Sequence, residues 1–427
     1  MTFRSKMGSF LLCIATALTS SAQTLTTLHS FDSTDGQFPE LLVQATNGSL
    51  YATTFEAGAN GFGTVFKITP GGTFTLLDSF DATDGEYPYG APLVQAANGN
   101  FYGTLQAGGA NLTLCGGSGC GTFFKMTPAG TVTTLYNFCS QSNCTDGSTP
   151  LTGLALATDG NFYGTTFSGG ANCIANGGCG TLFKITATGT LTTLYSFCAQ
   201  SNCADGSNPR GLIQAANGDF YGTTKTGGAN SAGTIFKVTP SGTLTTVYSF
   251  GSTDNSGLVS LQATDGNFYG TTHAGGANNS GTIFKMTPSG TVTTLYSFCA
   301  QSGCTDGNAP VGLLQDTNGK FYGSTEAGGT SSACTGGCGT IYSLNVGLRP
   351  FVETQPSSGN VGAPVNILGT NLSGATGVTF NGTAATFTVV SSSEIRSAVP
   401  TGATTGTVEV TVPSGVLKSN VVFRVRP

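Results

Sequence analysis

Gly233-Thr-Ile-Phe-Lys-Val-Thr-Pro-Ser-Gly-Thr-Leu-Thr-Thr-Val-Tyr-Ser-Phe250 is the stretch whose reading decides the fold. It returns with small changes at 63–80, 121–138, 180–197 and 281–298. Between copies runs a second phrase, typified by Gly211-Leu-Ile-Gln-Ala-Ala-Asn-Gly-Asp-Phe-Tyr-Gly-Thr-Thr224. A period of roughly 50 residues filled with short β-prone segments points to a propeller or a solenoid. Thr, Val, Ile, Tyr and Phe dominate the segments, which suits half-buried pleated surfaces.

Each unit reads as four strands. The first is short and apolar, as in Gly211 to Ala215. An Asn-Gly or Asp-Gly pair follows, as in Asn98-Gly99, Asp159-Gly160 and Asn217-Gly218. Such a pair predicts a two-residue hairpin in which both central residues take positive φ. The second strand is Phe220 to Thr224, the third Gly233 to Thr239, and the fourth Thr243 to Phe250 after a Pro-x-Gly turn. First strands fall near residues 41, 92, 153, 212, 259 and 313, which makes six blades. The N-terminal segment Thr24 to Phe31 reads as an orphan fourth strand, and the last unit stops after three at Gly339 to Leu344. The orphan fits the gap, and closing the ring removes exposed sheet edges. The expected fold is therefore all-β, a six-bladed β-propeller closed by the N-terminal strand.

Residues 1–22 read as a secretory signal peptide. Arg4 and Lys6 precede an apolar run from Phe10 to Leu18, and Ser20-Ser-Ala22 offers small residues for cleavage before Gln23. The run is too short to span a membrane. Leu12 is too bulky to make Cys13 a lipidation site. With a net charge of −5, the chain gives no support for nucleic-acid binding. Charged residues make up only 8% of it, so Thr, Ser, Asn and Gly furnish the surface. The expected product is a monomer, secreted to the cell surface, the medium or the periplasm.

Apart from Cys13, the cysteines form close pairs: 115/120, 139/144, 173/179, 198/203, 299/304 and 334/338. Half lie between second and third strands and half between blades, and both kinds of loop sit on one face of a four-stranded blade. Copies without a pair have a shorter loop, as Phe80 to Gly85 shows against Phe138 to Gly147. The cysteines thus arrive with an insertion, as a disulfide staple would. A bridge over so short a loop is worth roughly 2 kcal/mol. Zinc held by two pairs is the rival reading, which the secretory context disfavours.

Near Gly347-Leu-Arg-Pro350 the repeat ends, dividing a propeller at 23–347 from a second unit at 348–427. That unit has no cysteine and alternates apolar with polar residues between turns. Val365 to Leu372, Val378-Thr-Phe-Asn-Gly382, Val399-Pro400, Ala403 to Gly406 and Val408 to Val412 resemble an IPT/TIG immunoglobulin-like domain. The resemblance implies a β-sandwich used as a spacer or adhesion module, without catalytic residues. The Gly-Thr-[IVL]-Phe-Lys-[IVM]-Thr phrase, with Phe-Tyr-Gly-Thr-Thr and Gly-Gly over about 24–345, resembles the GloVer-type (Gloeo/Verruco) tandem repeat of exported bacterial proteins. That resemblance implies export and architecture, and no activity.

Positions that repeat in every blade read as structural, and positions that vary between fixed neighbours read as candidates. One such position follows Phe-Tyr-Gly-Thr-Thr and holds Phe55, Gln106, Phe167, Lys225, His273 and Glu326 in turn, with Glu56 beside the first. These residues are the candidate ligand-binding ring on the stapled face. Lys225, His273 and Glu326 fall on consecutive blades, so a lyase or hydrolase using them is the alternative to a binding module. A structural envelope spacer is a third reading. The expected ligand is a glycan, a surface polymer or another protein. Asp35, Asp84, Asp146, Asp205, Asp254 and Asp306 recur in the loop entering each blade. They are weak candidates for Ca²⁺, and the plainer reading is a turn residue bonding local backbone. No cofactor is expected otherwise. Lys67, Lys125, Lys184, Lys237 and Lys285 recur in third strands and are expected to pair with such an Asp or lie along the blade. Gln44, Gln95, Gln214, Gln262 and Gln315 recur in first strands, with Leu156 breaking the set; they could line the channel, and the preferred reading is that they bond backbone near the hairpin turn. His29 takes a position held elsewhere by Tyr136, Tyr195, Tyr248 and Tyr296, which reads as packing.

Overall fold

In a computed structural model, the described residues are 34–40, 43–45, 49–69, 73–88, 93–96, 98–111, 115–151, 153–157, 159–173, 177–251, 257–329 and 340–426. The chain is all-β. In sheet 4, the inner strand Ser207–Gln214 pairs with Phe220–Thr226, then Thr234–Val238, then the outer strand Leu244–Ser249, every pair antiparallel. Sheet 1 runs from Gln37–Pro39 and Val43–Gln44 through Leu50–Glu56 and Thr64–Ile68 to Phe74–Ser79. Sheets 2, 3 and 5 repeat the order and end on outer strands Val132–Asn137, Leu191–Ser196 and Val292–Ser297. Sheet 6 has three strands among the described residues: Asn308–Gln315, Phe321–Ala327 and Thr340–Leu344. The orphan strand Thr24 to Phe31, His29 and the signal segment lie outside the described residues.

Aromatic rings join each sheet to the next. Tyr of the second strand lies on Phe of the following second strand in Tyr102–Phe162, Tyr163–Phe220, Tyr221–Phe268 and Tyr269–Phe321, at 4.0 to 4.4 Å between ring centres. Tyr51 meets Phe101 the same way. A second step joins the last Phe of each unit to the third strand of the next, as in Phe138–Phe183 and Phe197–Phe236. These rings are buried, so the inter-sheet core is a chain of aromatic layers. The glycine of Phe-Tyr-Gly-Thr makes room for the second layer. A Cβ on Gly222 would stand 2.5 Å from Phe236 Cζ and 2.6 Å from the Gly211 carbonyl.

The hairpin turns differ from expectation. Gly218 N donates to the Ala215 carbonyl and Ala215 N to the Asp219 carbonyl, so the loop has three residues, and only Gly218 takes positive φ, at 88°. The loop is a type I turn closed by a left-handed glycine. Asn217 earns its place through its side chain, whose Oδ1 accepts the Asp219 N–H at 3.1 Å. Asp159 and Asp265 do the same for Asn161 and Asn267, which explains why Asn and Asp interchange there.

Beyond Pro350 the chain forms two four-stranded antiparallel sheets. One runs Glu353–Gln355, Pro364–Leu368, Glu394–Ala398, Phe387–Val389; the other Thr383–Ala384, Gly377–Phe380, Val408–Val412, Gly415–Lys418. One apolar core, with Val365, Ile367, Phe380, Ile395, Val408 and Val410, unites them. Phe351 N donates to the Thr317 carbonyl, in the turn between the first two strands of sheet 6, tying the two regions.

Candidate functional site

Three sets of repeated polar residues are consumed by the fold. The first is the loop aspartate. Asp205 is fully buried; its Oδ2 accepts Tyr195 Oη–H at 2.8 Å and Ala199 N–H at 2.9 Å, and its Oδ1 accepts Gln200 N–H. Asp146 takes Tyr136, Ser140 and Gln141, and Asp306 takes Tyr296, Ala300 and Gln301 in the same manner. These carboxylates thus bolt the stapled loop to the outer strand. In the unstapled loop Asp78 stands where Tyr136 stands, and Asp84 has no such phenol to accept. Burial first, then the charges of Asp81 and Asp78, holds the Asp84 carboxyl above its usual range. The carbonyls of Asp35 and Asp84 accept Thr64 and Thr122 hydroxyls, while Asp254 lies outside the described residues.

The second set is the third-strand lysine. It pairs with the hairpin aspartate at the opposite end of the blade from the loop aspartate: Lys184 with Asp159 at 2.9 Å, Lys285 with Asp265 at 3.2 Å, and Lys237 with Asp219 at 3.5 Å. The register Tyr163↔Lys184 places the ammonium beside the same turn that Tyr163 Oη–H reaches. The third set is the inner-strand glutamine. Gln214 and Gln262 each donate from Nε2 to the carbonyl of their own turn glycine, and Oε1 of Gln262 accepts Ala216 N–H of the preceding sheet. The expectation of backbone bonding therefore holds, with an added link between sheets.

Disulfides join Cys115–Cys120, Cys139–Cys144, Cys173–Cys179, Cys198–Cys203 and Cys299–Cys304. Cys334–Cys338 lies outside the described residues. The sulfurs of Cys115, Cys120, Cys139 and Cys144 gather within 4.8 Å of one another, as do those of Cys173, Cys179, Cys198 and Cys203. In each set one staple closes the second-to-third loop, the other closes the loop that enters the next sheet, and the two staples lie side by side.

The variable ring sits at the ends of second strands on this stapled face. Phe55 is half-buried with its ring 5.4 Å from Tyr87, and Tyr87 also meets Phe62 edge-on. Glu56 pairs in register with Gln37 and is half-buried. Gln106 N–H donates to the Tyr87 carbonyl. His273 is exposed just past Phe268–Thr272, and the Glu326 side chain is outside the described residues. The structure brings together Phe167 and Lys225, and adds Arg210. Lys225 Nζ lies 5.7 Å, and the Arg210 guanidinium 5.8 Å, from the centre of the Phe167 ring. Phe167 is fixed by its backbone: its N–H donates to Thr149 O, and its carbonyl accepts Asn208 Nδ2–H at 2.9 Å. Asn208 N–H in turn donates to the carbonyl of the staple residue Cys179. Sequence reasoning missed Arg210. Its counterparts by strand register are Leu258 and Val311, and comparing the copies at that position would have exposed it.

A family model described as the Gloeobacter/Verrucomicrobia repeat matches residues 12–203, 112–342 and 174–389. No curated protein matches the chain. Among solved structures, a luciferin-regenerating enzyme is 12% identical, with 74% of this chain and 94% of that one covered and a TM-score of 0.45. A putative 6-phosphogluconolactonase from Bacteroides uniformis is 13% identical, with 88% and 97% covered and a TM-score of 0.43. An auxiliary nutrient binding protein from Bacteroides ovatus is 15% identical, with 73% and 70% covered and a TM-score of 0.41. Likeness at that level assigns no activity. No helix among the described residues is long and apolar enough to cross a membrane.

Proposed function

The chain belongs to the Gloeobacter/Verrucomicrobia repeat family, and we propose that it is a secreted binding or adhesion module that takes its ligand on the stapled face. One observation carries this reading. Asp146, Asp205 and Asp306, Lys184, Lys237 and Lys285, and Gln214 and Gln262 have partners within the fold, whereas Arg210 and Lys225 gather over Phe167 on the stapled face and, among the described residues, meet no carboxylate. A binding face on a rigid scaffold has this division of labour. The ligand is a glycan, a surface polymer or a protein, and the C-terminal unit, read as an IPT/TIG immunoglobulin-like sandwich, serves as the spacer.

The test is a thermal-shift screen of residues 23–427 against glycans, cell-wall fragments and Ca²⁺, with an EDTA control. A ligand at 100 times its Kd adds about 2.7 kcal/mol of stability. The reading expects a hit that disappears when Phe167 and Lys225 become Ala. A flat screen, or a hit indifferent to every variable-ring position, refutes it.

The same proposal includes ring closure. A cavity of about 330 Å³ lies beside Thr340–Leu344, the outermost described strand of sheet 6, lined by Tyr296, Phe298, Thr305, Asp306, Thr340, Tyr342 and Leu344 among others. In sheets 2 and 4 the outer-strand hydroxyls of Thr134 and Thr246 donate to loop carbonyls of Asp84 and Ala204. Aligning the copies puts Thr27 at the place of Thr246 and Thr305 at the place of Ala204. Residues 24–31 therefore supply the matching fourth strand of a six-bladed ring. Deleting residues 23–31 should lower the melting temperature of the propeller by at least 10 °C, since a ring opened at one seam exposes an aromatic layer. An unchanged melting curve removes the closing role.

A further inference from the structure

We propose that Arg210 and Lys225, gathered over the Phe167 ring, form a subsite for a carboxylate-bearing sugar; the inference rests on the binding reading above and names its ligand class. Lys and Arg number only 15 in the whole chain. The third-strand lysines Lys184, Lys237 and Lys285 are each held by an aspartate. Arg210 and Lys225 are exposed, and among the described residues their contacts are with one aromatic ring and not with a carboxylate. Two cations brought to one ring repel each other. The negative face of the ring offsets part of that repulsion, and an anion seated between them would offset the rest.

The backbone beneath is already in place. The Arg210 carbonyl accepts the Thr223 hydroxyl at 3.0 Å, and the Thr224 hydroxyl is bonded to Thr234. Asn208 links the Phe167 carbonyl to the staple at Cys179. Binding therefore orders two side chains and no loop, which keeps its entropic cost low. A guanidinium takes a carboxylate through paired N–H donors, and an ammonium adds a point charge. A half-buried phenyl beside them offers a flat apolar floor for the C–H face of a sugar ring. The surrounding protein is acidic, with a net charge of −5 and a pI near 4.9. Its field repels dense polyanions, so a saccharide carrying isolated carboxylates fits better than a nucleic acid or a heavily sulfated chain.

Isothermal titration of residues 23–427 with trigalacturonate, its methyl ester and a sulfated disaccharide tests the assignment. Trigalacturonate should bind, and the methyl ester, which keeps the sugar and removes the charge, should bind at least about 10-fold more weakly. Arg210→Ala and Lys225→Ala should each weaken binding about 10-fold, Lys225→Arg should retain it, and Lys418→Ala, which removes an exposed cation of the C-terminal unit, should leave it unchanged. Circular dichroism of the variants, exposed as both cations are, should match the parent. Equal affinity for acid and ester, tighter binding of the sulfated sugar, or parental affinity in both cation variants would overturn the proposal. A ligand from the wider screen that depends on Phe55 and Tyr87, and not on Arg210 or Lys225, overturns this inference while the binding reading stands. No ligand at any ring position defeats both.

Discussion

Asp205→Ala is expected to destabilise the repeat region by about 3 kcal/mol, a larger loss than any surface change in this chain should produce. The carboxylate is fully buried, and three donors converge on it: the Tyr195 hydroxyl and the N–H groups of Ala199 and Gln200. Alanine leaves all three without an acceptor. Their desolvation is recovered only in part, because Cys198–Cys203 holds the loop in place and the half-buried Tyr195 hydroxyl stays turned toward the vacated site. Asp205→Asn keeps the shape and part of the bonding, and should lose less than half as much. Urea unfolding of the two variants measures the difference, and equal losses would mean that the site is only a space to be filled.

The same motif sets a pH window. In Asp306, burial pushes the carboxyl pKa up, but hydrogen bonds from Tyr296 and from backbone N–H groups outweigh it and leave the pKa below its usual value. A carboxyl with a depressed folded pKa stabilises fully above its unfolded pKa, near 4, and loses that contribution as pH falls through the folded value. Tyr136 supplies the opposite limb. Burial, reinforced by Asp146 and partly countered by the Ser140 hydrogen bond, pushes its hydroxyl up to about 12. A phenol with a raised folded pKa stabilises fully below its unfolded pKa, near 10, and loses that contribution as pH rises towards the folded value. In the Tyr296–Asp306 bolt, burial and then Asp306 likewise raise the phenol, so that bolt weakens at both ends of the scale.

What was legible in the sequence follows from repetition. A strand that recurs must meet the same neighbours each time, so the order inner, second, third and outer could be read from Gly233 to Phe250 and Gly211 to Thr224 alone. Partners across a loop were less legible. Tyr195 and Asp205 both recur, yet nothing in their spacing says that the phenol folds back on the carboxylate; the disulfide-closed loop between them decides it. The third-strand lysines went to Asp159, Asp219 and Asp265 because the antiparallel register sets them beside the hairpin, whereas the loop aspartates sit at the other end of the blade. The turn type was misread for a related reason. Asn217-Gly218 favours a two-residue loop in isolation, but the Ala215–Asp219 pairing takes up three residues and leaves Asn217 to cap the backbone. Arg210 was hidden because it lies on an inner strand, far in sequence from Phe167.

Tyr163→Ala should cost about 4 kcal/mol, in the range found for removing a large buried ring. Tyr163 is 1% exposed and lies 4.2 Å from Phe220 in the next sheet, with ring planes 27° apart. It is one of the contacts through which sheet 3 reaches the core of sheet 4, with Leu182 and Phe197 on its own side and Leu212 and Phe236 opposite. Alanine would leave a void that these neighbours cannot close, because the strands on both sides are pinned by their own ladders. Tyr163→Phe separates the ring from its hydroxyl. It keeps the stack and gives up the bond to Asp159 Oδ2, which Lys184 Nζ also satisfies while Asn161 N–H holds Oδ1, so its loss should stay near 1 kcal/mol. Because units in such an array are coupled through nearest-neighbour interfaces, Tyr163→Ala should also broaden the urea transition, sheets 1–3 unfolding apart from sheets 4–6. A sharp single transition with a loss below about 1.5 kcal/mol would show that the second aromatic layer, Phe138–Phe183 and Phe197–Phe236, couples the sheets without help from the first.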